Sequence, residues 1–296
     1  MRRLIIGCGY LGRRVARLWL EGGDDVFAVT RSPENAAELR TLGVEPLIGD
    51  VTQPQSLTTL PECDTVLHAV GFDRNAAPGK RDVYVDGLRN VLDQVAGRCG
   101  RFVHISSTSV YGQENGELVD EDSLCEPQHK SGQICVDAEQ LVADRVADRS
   151  LAEATILRLA GIYGPGRLLA RVDAIRQQQP LPGSPDAWLN LIHVDDVAAI
   201  VLAAAAAAAT PAAQSSEAQR FLVSDDEPIR RRTYYTTLAR LLAVDDVTFD
   251  SSAPARHTHG LGKRCSNRKL HAELGVRLSY PTIEQGLPQA LAEQLS

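Results

Sequence analysis

Residues 4–12 read LIIGCGYLG, a short apolar run followed by glycines at positions 7, 9 and 12. The apolar run predicts a buried strand, and LGRRVARLWLEGG at 11–23 predicts a helix that ends at paired glycines. Glycines between a strand and a helix permit a tight turn and bring backbone N–H groups close to a pyrophosphate. The negative charge of that group suits a helix N-terminus. The stretch therefore predicts a dinucleotide-binding unit.

Further short apolar runs follow this unit, with helical stretches between them. They occupy residues 26–30, 44–48, 65–70, 101–106 and 154–160. This alternation predicts an α/β fold, a doubly wound parallel Rossmann sheet with a small C-terminal substrate lobe. Because Pro and Gly cluster from residue 161 onward, we expect a Rossmann domain over 1–164 and a mainly substrate-binding lobe over 165–296. Residues 190–224 are expected to return to the Rossmann domain.

Composition excludes several classes of protein. The net charge is -7 and no basic block offsets it, so nucleic acid is not an expected partner. No stretch reaches the roughly 18 apolar residues of a membrane span, so no membrane partner is expected. The six cysteines are scattered and lack C-x-x-C spacing, which indicates neither a metal site nor a disulfide framework. A cytoplasmic protein that acts on a small molecule is the expectation.

The predicted cofactor residues lie at the ends of four strands. An NAD-type site usually has Asp or Glu after the second strand, whereas this chain has Thr30 and Arg31. A guanidinium pairs with a 2'-phosphate, so NADP is the expected cofactor and NAD the alternative. The alternative for Arg31 is a solvated loop residue. The full prediction comprises Gly7, Gly9, Tyr10, Leu11, Gly12, Thr30, Arg31, Asp50, Val51, Ala69, Val70 and Gly71.

Several segments together carry a family resemblance. They are GCGYLG at 7–12, IGDV at 48–51, HISSTSVYG at 104–112, RLAGIYGPGR at 158–167 and LIHVDDVA at 191–198. In order and spacing the chain resembles the extended short-chain dehydrogenase/reductase superfamily, in particular its NAD-dependent epimerase/dehydratase group. The glycine spacing G-x-G-x-x-G, in place of the G-x-x-G-x-x-G of the extended group, makes it similar to an atypical branch.

The resemblance implies a catalytic relay that this chain lacks. A Ser or Thr after the fifth strand would hold the substrate oxygen, which implies Ser107 with Thr108 beside it. A Tyr in Y-x-x-x-K would transfer the proton, with the lysine lowering its pKa. With Glu139 aligned to the glutamate that commonly follows, Ser131 stands at the tyrosine position and Cys135 at the lysine position.

None of the seven tyrosines has a lysine four residues later. A serine hydroxyl is far too weak an acid to replace a phenol, and a thiolate would add negative charge where the lysine supplied positive charge. We therefore expect Cys135 to be packed and the usual relay to be absent.

Other residues could supply the missing chemistry, although we expect a structural role for each. Tyr111, His129, Lys130 and His193 are the candidate acids, with Asp195 or Asp196 as possible orienting carboxylates for His193. Arg167, Arg231 and Arg256 could receive an anionic substrate.

Two functions follow from the resemblance. The first is an NADP-dependent oxidoreductase or epimerase-like enzyme with a non-standard proton donor, which acts on a polar substrate that could be nucleotide-linked. The second is a non-catalytic NADP(H)-binding sensor or regulatory module, in which the lost relay reflects lost catalysis. The resemblance also implies a homodimer.

Overall fold

The computed structural model describes residues 1–72, 78–167, 169–206, 217–252 and 260–295. Contacts divide the chain into two units whose segments alternate along the sequence. Unit 1 comprises Met1–Val110, Cys125–Arg158 and Ala198–Phe221, and unit 2 comprises Tyr111–Leu124, Leu159–Val197 and Leu222–Ser296. The domain boundary at residue 164 and the return of residues 190–224 to the Rossmann domain stay predictions.

A seven-stranded sheet forms the centre of unit 1. Its strands are β1 (Arg2–Ile6), β2 (Asp25–Thr30), β3 (Glu45–Ile48), β4 (Cys63–His68), β5 (Cys99–Ser107), β7 (Ala154–Leu159) and β12 (Gln219–Val223). They lie in the order β12-β7-β5-β4-β1-β2-β3, and the pairings from β3 through β5 are parallel. The last two residues of β12 and the final residue of β7 are counted in unit 2.

Helices flank this sheet. They are α1 (Tyr10–Glu21), α2 (Pro33–Thr41), α3 (Gly87–Val95), α4 (Lys130–Ala147) and most of α6 (Val194–Ala206). A π-helical turn, Asp82–Asp86, leads into α3. The side chains of Leu4, Ile5 and Ile6 are all fully buried, as expected for a parallel strand covered on both faces. The predicted doubly wound parallel α/β fold is confirmed.

In its described residues, unit 2 contains short strands and four helices of its own. The strands are β6 (Asn115–Val119), β8 (Gly161–Tyr163), β9 (Leu181–Pro182), β10 (Trp188–Leu189), β11 (Leu191–His193), β13 (Ile229–Arg230), β14 (Phe249–Asp250) and β15 (Gly262–Cys265). The helices are α5 (Leu169–Arg176), α7 (Arg231–Leu241), α8 (Arg268–Leu274) and α9 (Ile283–Leu295). A core that includes Tyr163, Leu238 and Leu287 packs this unit together.

Two further observations concern the chain as a whole. All six cysteines lie within the described residues and are free thiols. No helix in the described part of the chain combines the length and the apolar character needed to span a membrane.

Candidate functional site

The glycine turn between β1 and α1 is fixed by close backbone contacts. Gly7 has a φ of 95°, and a Cβ there would lie 2.6 Å from the carbonyl oxygen of Ala69. A Cβ at Gly12 would lie 2.7 Å from the carbonyl oxygen of Gly7. By contrast, a Cβ at Gly9 would meet nothing within 4 Å. Gly7 and Gly12 are thus required by the fold, whereas Gly9 leaves an open surface.

That open surface lies at the N-terminus of α1. Gly9 is the N-cap residue and offers no side-chain hydrogen bond to the first-turn N–H groups. Uncapped N–H groups at a helix start can receive an anion. Tyr10 is half-buried under the Arg14 guanidinium, which lies 4.3 Å from its ring centroid, and Leu11 is buried. The turn can therefore contact a dinucleotide through its backbone.

The segment after β4 lies against this turn. The Ala69 amide donates to the Ile6 carbonyl at 2.8 Å, which extends the strand pairing beyond His68. Val70 is partly buried, with its Cα 2.7 Å from a Cβ placed on Gly7. A Cβ at Gly71 would meet nothing within 4 Å. This segment thus supplies a second open stretch of backbone.

The predicted phosphate contact, Arg31, is exposed at the end of β2. No hydrogen bond or ion pair joins its guanidinium to any residue that the structure describes. The neighbouring Arg13 is already paired with Glu38 at 2.6 Å, and the Ser32 hydroxyl accepts from the Asn35 amide as the N-cap of α2. Thr30 is half-buried. Arg31 is therefore an exposed cation that is able to pair with an anion.

The residues after β3 hold a turn together. The Asp50 Oδ1 accepts from both the amide and the hydroxyl of Thr52, each at 2.8 Å. Val51 is buried, and its carbonyl accepts from the Asn90 side chain at 2.8 Å. A Cβ on Gly87 would lie 2.7 Å from a Val51 methyl group. These contacts show a structural task for both residues, and their contact with a cofactor stays a prediction.

A cavity of about 110 Å³ lies within unit 1 at the carboxyl ends of β4 and β5. Its lining includes Ser107 and Cys135, which the sequence had singled out, and excludes Thr108 and Ser131. The full lining is His68, Val70, Tyr84, His104, Ile105, Ser106, Ser107, Cys135 and Ala138. The Ser107 hydroxyl accepts from the Ser109 amide at 3.1 Å, which fixes its oxygen.

Cys135 behaves as a packed thiol. It is buried, and the Ser109 hydroxyl lies 3.7 Å from its sulfur. Burial raises the pKa of Cys135, so the group is a neutral thiol at physiological pH. The position that carries a lysine in the resembled superfamily is therefore uncharged.

Helix α4 is held closely against the end of β5. A Cβ on Gly132 would collide with the Ser109 carbonyl oxygen. Further along the helix, Glu139 is buried and binds the equally buried Arg158 at 2.8 Å and the Ser106 hydroxyl at 2.6 Å. These contacts fix the face of α4 that carries Cys135.

Two imidazoles form the floor of the cavity. His68 and His104 stand opposite each other on β4 and β5, and their Nδ1 atoms are 3.2 Å apart. Burial lowers the pKa of His104 to about 4 and lowers that of His68 well below its usual value. Both rings are therefore neutral at pH 7, and one donates its Nδ1 proton to the other. The His68 Nε2 is buried without a hydrogen-bond partner among the described residues.

Tyr84, to which the family resemblance does not point, also lines this cavity. The family pattern has a lysine four residues after the tyrosine, whereas here Lys80 lies four residues before Tyr84. The Lys80 Nζ lies 5.1 Å from the Tyr84 ring centroid. The reversed spacing, K-x-x-x-Y, is the sequence signal for this pair.

The replacement acids suggested by the sequence lie outside the lining of the cavity. Tyr111 is buried and donates its hydroxyl proton to the Asp120 carbonyl at 2.7 Å. His193 is fully buried, with its Nε2 2.9 Å from the Gln289 side-chain oxygen. His129 and Lys130 are exposed at the start of α4. None of the four is among the residues that line the cavity.

The remaining sequence candidates also have defined surroundings. Asp196 accepts from the amides of Ser279 and Tyr280 at 2.7 and 2.9 Å, so it ties chain segments of unit 2 together. Asp195 lies 3.8 Å from the His193 ring. Arg231 is buried and donates to the Pro182 carbonyl at 2.6 Å, which opposes a role in binding substrate. Arg167 is exposed, and Arg256 lies outside the described residues.

Comparisons with known proteins agree with this architecture. Protein YeeZ of Escherichia coli K12 is 27% identical over 201 residues, which cover 65% of this chain and 69% of YeeZ. A solved structure from Methylobacillus flagellatus, provisionally described as an NAD-dependent epimerase/dehydratase, is 31% identical with a TM-score of 0.73. That match covers 100% of this chain and 99% of the other.

The fold is also shared with more distant proteins. UDP-glucuronic acid 4-epimerase from Bacillus cereus superposes with a TM-score of 0.81 at 19% identity over the full length of both chains. Residues 4–215 match the model of the NAD dependent epimerase/dehydratase family, which is well over half of the chain. The chain therefore belongs to the NAD dependent epimerase/dehydratase family.

Proposed function

We propose that the protein is an NADP(H)-dependent oxidoreductase that acts on a carbonyl or alcohol group of a polar substrate. The observation that carries this proposal is the glycine turn. A Cβ at Gly7 or at Gly12 would collide with a neighbouring carbonyl group, whereas a Cβ at Gly9 would meet nothing within 4 Å. Gly9 is exposed and is the N-cap of α1, where it offers no side-chain hydrogen bond to the first-turn N–H groups. The open backbone at the start of α1 fits a pyrophosphate.

The preference for NADP(H) rests on Arg31. A phosphate on the adenosine ribose requires a cation, and the Arg31 guanidinium is exposed and unengaged by the described residues. Neither Thr30 nor Arg31 offers a carboxylate to the ribose hydroxyls of NAD. When bound, the cofactor supplies or accepts a hydride. Ser107 would hold the reacting oxygen of the substrate in the cavity of unit 1.

A protein of similar fold bears on the substrate class. The Bacillus cereus epimerase of similar fold was solved with a UDP-sugar and NAD, which supports testing sugar nucleotides first. Six free thiols fit a cytoplasmic location, and a homodimer is proposed from the family resemblance. Sedimentation equilibrium would test the oligomeric state.

One observation favours a second function, a non-catalytic NADP(H) sensor. Ser131 does not line the cavity and Cys135 is a neutral thiol, so the usual relay positions contribute no acid and no charge. In that case the protein would bind NADPH tightly and reduce nothing.

A two-stage experiment separates the two functions. NADPH and NADH are first titrated by fluorescence, with tighter binding of NADPH expected. NADPH oxidation is then followed across sugar nucleotides, ketones and quinones in the wild type, in Ser107→Ala and in Ser150→Ala, a control serine three residues beyond the end of α4. Turnover that falls in Ser107→Ala alone supports the enzyme. Binding without turnover supports the sensor, and failure to bind either nucleotide contradicts both.

A further inference from the structure

Tyr84 is the one tyrosine of the seven, all of them described, that lines the cavity with Ser107. The other six are engaged elsewhere. Tyr10 lies beneath Arg14, Tyr111 bonds Asp120, Tyr280 packs on His193, and Tyr163, Tyr234 and Tyr235 lie in the core of unit 2. If a phenol gives the proton in this site, Tyr84 is the residue able to do so.

The backbone before α3 places a cation beside this phenol. Tyr84 lies in the π-helical turn Asp82–Asp86, one turn beyond Lys80. Residues four apart on a helix share a face, and the Lys80 Nζ lies 5.1 Å from the Tyr84 ring centroid. An ammonium at this position favours negative charge on the phenol when the proton leaves. The chain therefore holds a phenol and an ammonium at four-residue spacing, in the order opposite to Y-x-x-x-K and on another helix.

The surroundings of Tyr84 favour giving a proton over taking one. Burial, and to a smaller extent the nearby Cys135, raise the pKa of the Tyr84 phenol. A hydrogen bond from the Phe72 backbone lowers this pKa, but the net shift is upward. The phenol is therefore protonated at neutral pH. A protonated donor suits the reduction of a carbonyl.

A second observation indicates that the cavity receives a polar group. The His68 side chain is 2% exposed and lines the cavity, and its Nε2 has no hydrogen-bond partner among the described residues. Buried polar atoms are almost always bonded, so a polar occupant is expected opposite it. A volume of about 110 Å³ is more than one water fills, since a water occupies about 30 Å³. A carbonyl with its immediate substituents would fit.

We infer that Tyr84 is the proton donor of the reaction and that Lys80 stabilises the charge it leaves behind; this inference rests on the proposed function. A hydride adds to the carbonyl carbon and the electron pair of the C=O bond moves onto the oxygen. That oxygen takes the proton from the Tyr84 hydroxyl to give the alcohol. The Tyr84 phenolate, formed beside Lys80, then regains a proton from solvent.

The first test compares Tyr84→Phe with Tyr111→Phe, a buried phenol outside the cavity. For whichever carbonyl compound of the panel is reduced, kcat in Tyr84→Phe should fall by about 10²–10⁴, the usual contribution of a general acid. NADPH affinity should stay within about twofold, because the ring remains. Tyr111→Phe should keep the kcat of the wild type.

The second test needs no substrate. Ultraviolet difference absorbance between a reference protein and the same protein carrying Tyr84→Phe isolates the titration of Tyr84. The titratable groups that line the cavity with Tyr84 are Cys135, His68 and His104, and the Lys80 Nζ lies 5.1 Å from its ring centroid. Both histidines are neutral over the alkaline range, and Cys135→Ala in every protein of the series removes the thiol. Lys80→Met should raise the pKa of Tyr84, and Lys80→Arg should leave it close to that of the wild type.

The outcomes distinguish this inference from the proposed function. Wild-type turnover in Tyr84→Phe, with NADPH binding intact, would overturn the inference and leave the oxidoreductase standing. An unchanged Tyr84 titration in Lys80→Met would overturn the role of Lys80. Absence of any carbonyl reduction by the wild type would overturn the oxidoreductase and this inference together.

Discussion

The glycine turn and the first part of α4 differ in what fixes their sequence. Backbone contacts fix the residue type in the glycine turn, whereas side-chain chemistry decides it at Ser131 and Cys135. At Gly7 and Gly12 the backbone itself makes the contacts, so any side chain would collide with neighbouring carbonyl groups. Ser131 and Cys135 differ from the family pattern in their side chains only. The position of α4 is fixed by other residues, Gly132 and Glu139. The backbone contacts therefore restrict Gly7 and Gly12 to glycine, whereas the side chains of Ser131 and Cys135 can differ from the family pattern without displacing the helix.

The largest expected effect concerns the ion pair that fixes α4. Glu139→Gln leaves the buried Arg158 guanidinium without its counter-charge, and we expect the free energy of unfolding to fall by about 3–5 kcal/mol. Asp137→Asn, two residues away, breaks a more exposed pair with Arg81 and should cost much less. Urea denaturation of both variants measures the difference. Equal costs would show that the buried pair does not anchor the helix.

Gly7→Ala tests the backbone-determined region. The new methyl group would meet the Ala69 carbonyl at a residue with φ of 95°, so a loss of about 2–5 kcal/mol in unfolding free energy is expected. Gly97→Ala is the matched control, because Gly97 has a φ of 65° but no neighbour within 4 Å of an added Cβ. It should lose only the cost of the strained backbone, about 1–2 kcal/mol. Similar losses in both variants would contradict the role of the close contact.

The paired histidines should make the cavity sensitive to acid. Because the folded-state pKa of His104 lies at about 4, below the usual 6.5, the unfolded chain binds more protons between these values. The contribution of His104 to stability is therefore complete above pH 6.5 and is lost as the pH falls toward 4, by up to about 3 kcal/mol. Urea denaturation as a function of pH measures it.

His104→Gln provides the comparison for this acid sensitivity. In this variant the free energy of unfolding should depend less on pH between pH 6.5 and 4. This holds even if the substitution lowers the free energy of unfolding at every pH. An unchanged slope in that variant would assign the acid sensitivity to other groups, such as His68, whose pKa is also lowered by burial.

Arg31→Ala tests whether the side chain at the end of β2 contacts the 2'-phosphate of NADPH. Loss of the guanidinium should weaken NADPH binding by roughly 10–100-fold, the range for one charge-assisted contact to an ion. NADH binding should change little. Fluorescence titration with both nucleotides in Arg31→Ala and in Arg40→Ala, an exposed arginine at the end of α2, gives the ratio. A parallel loss for both nucleotides would show that Arg31 does not contact the 2'-phosphate.

The parts that could be predicted from the sequence are those with local causes. Glycines at 7, 9 and 12 follow a strand and open a helix, so the pattern alone located the turn. The burial of Cys135 could be predicted because a cysteine side chain is small and apolar. Such a side chain cannot supply the positive charge of the family's lysine. The sheet followed from alternating apolar runs.

The cavity could not be predicted, because it depends on long-range pairing. His68 and His104 meet through the register of β4 and β5, which are 36 residues apart, and no local pattern sets that register. The place of Tyr84 in the cavity could not be predicted because its lysine precedes it in the sequence. In addition, Tyr84 reaches the cavity from a π-helical turn, which no sequence pattern indicates. Arg231 was offered as an anion contact, yet its position on the inner face of α7 buries it.

The edge position of β12 bears on any attempt to study the nucleotide-binding part alone. This strand, Gln219–Val223, pairs with β7 at one end of the seven-stranded sheet, although more than fifty residues separate the two along the chain. A truncated protein that stops at residue 164 would keep the glycine turn but expose the hydrogen-bonding groups of β7 to other molecules. Such a fragment should self-associate, and a circular permutant that joins the missing strand to it would be the better reagent.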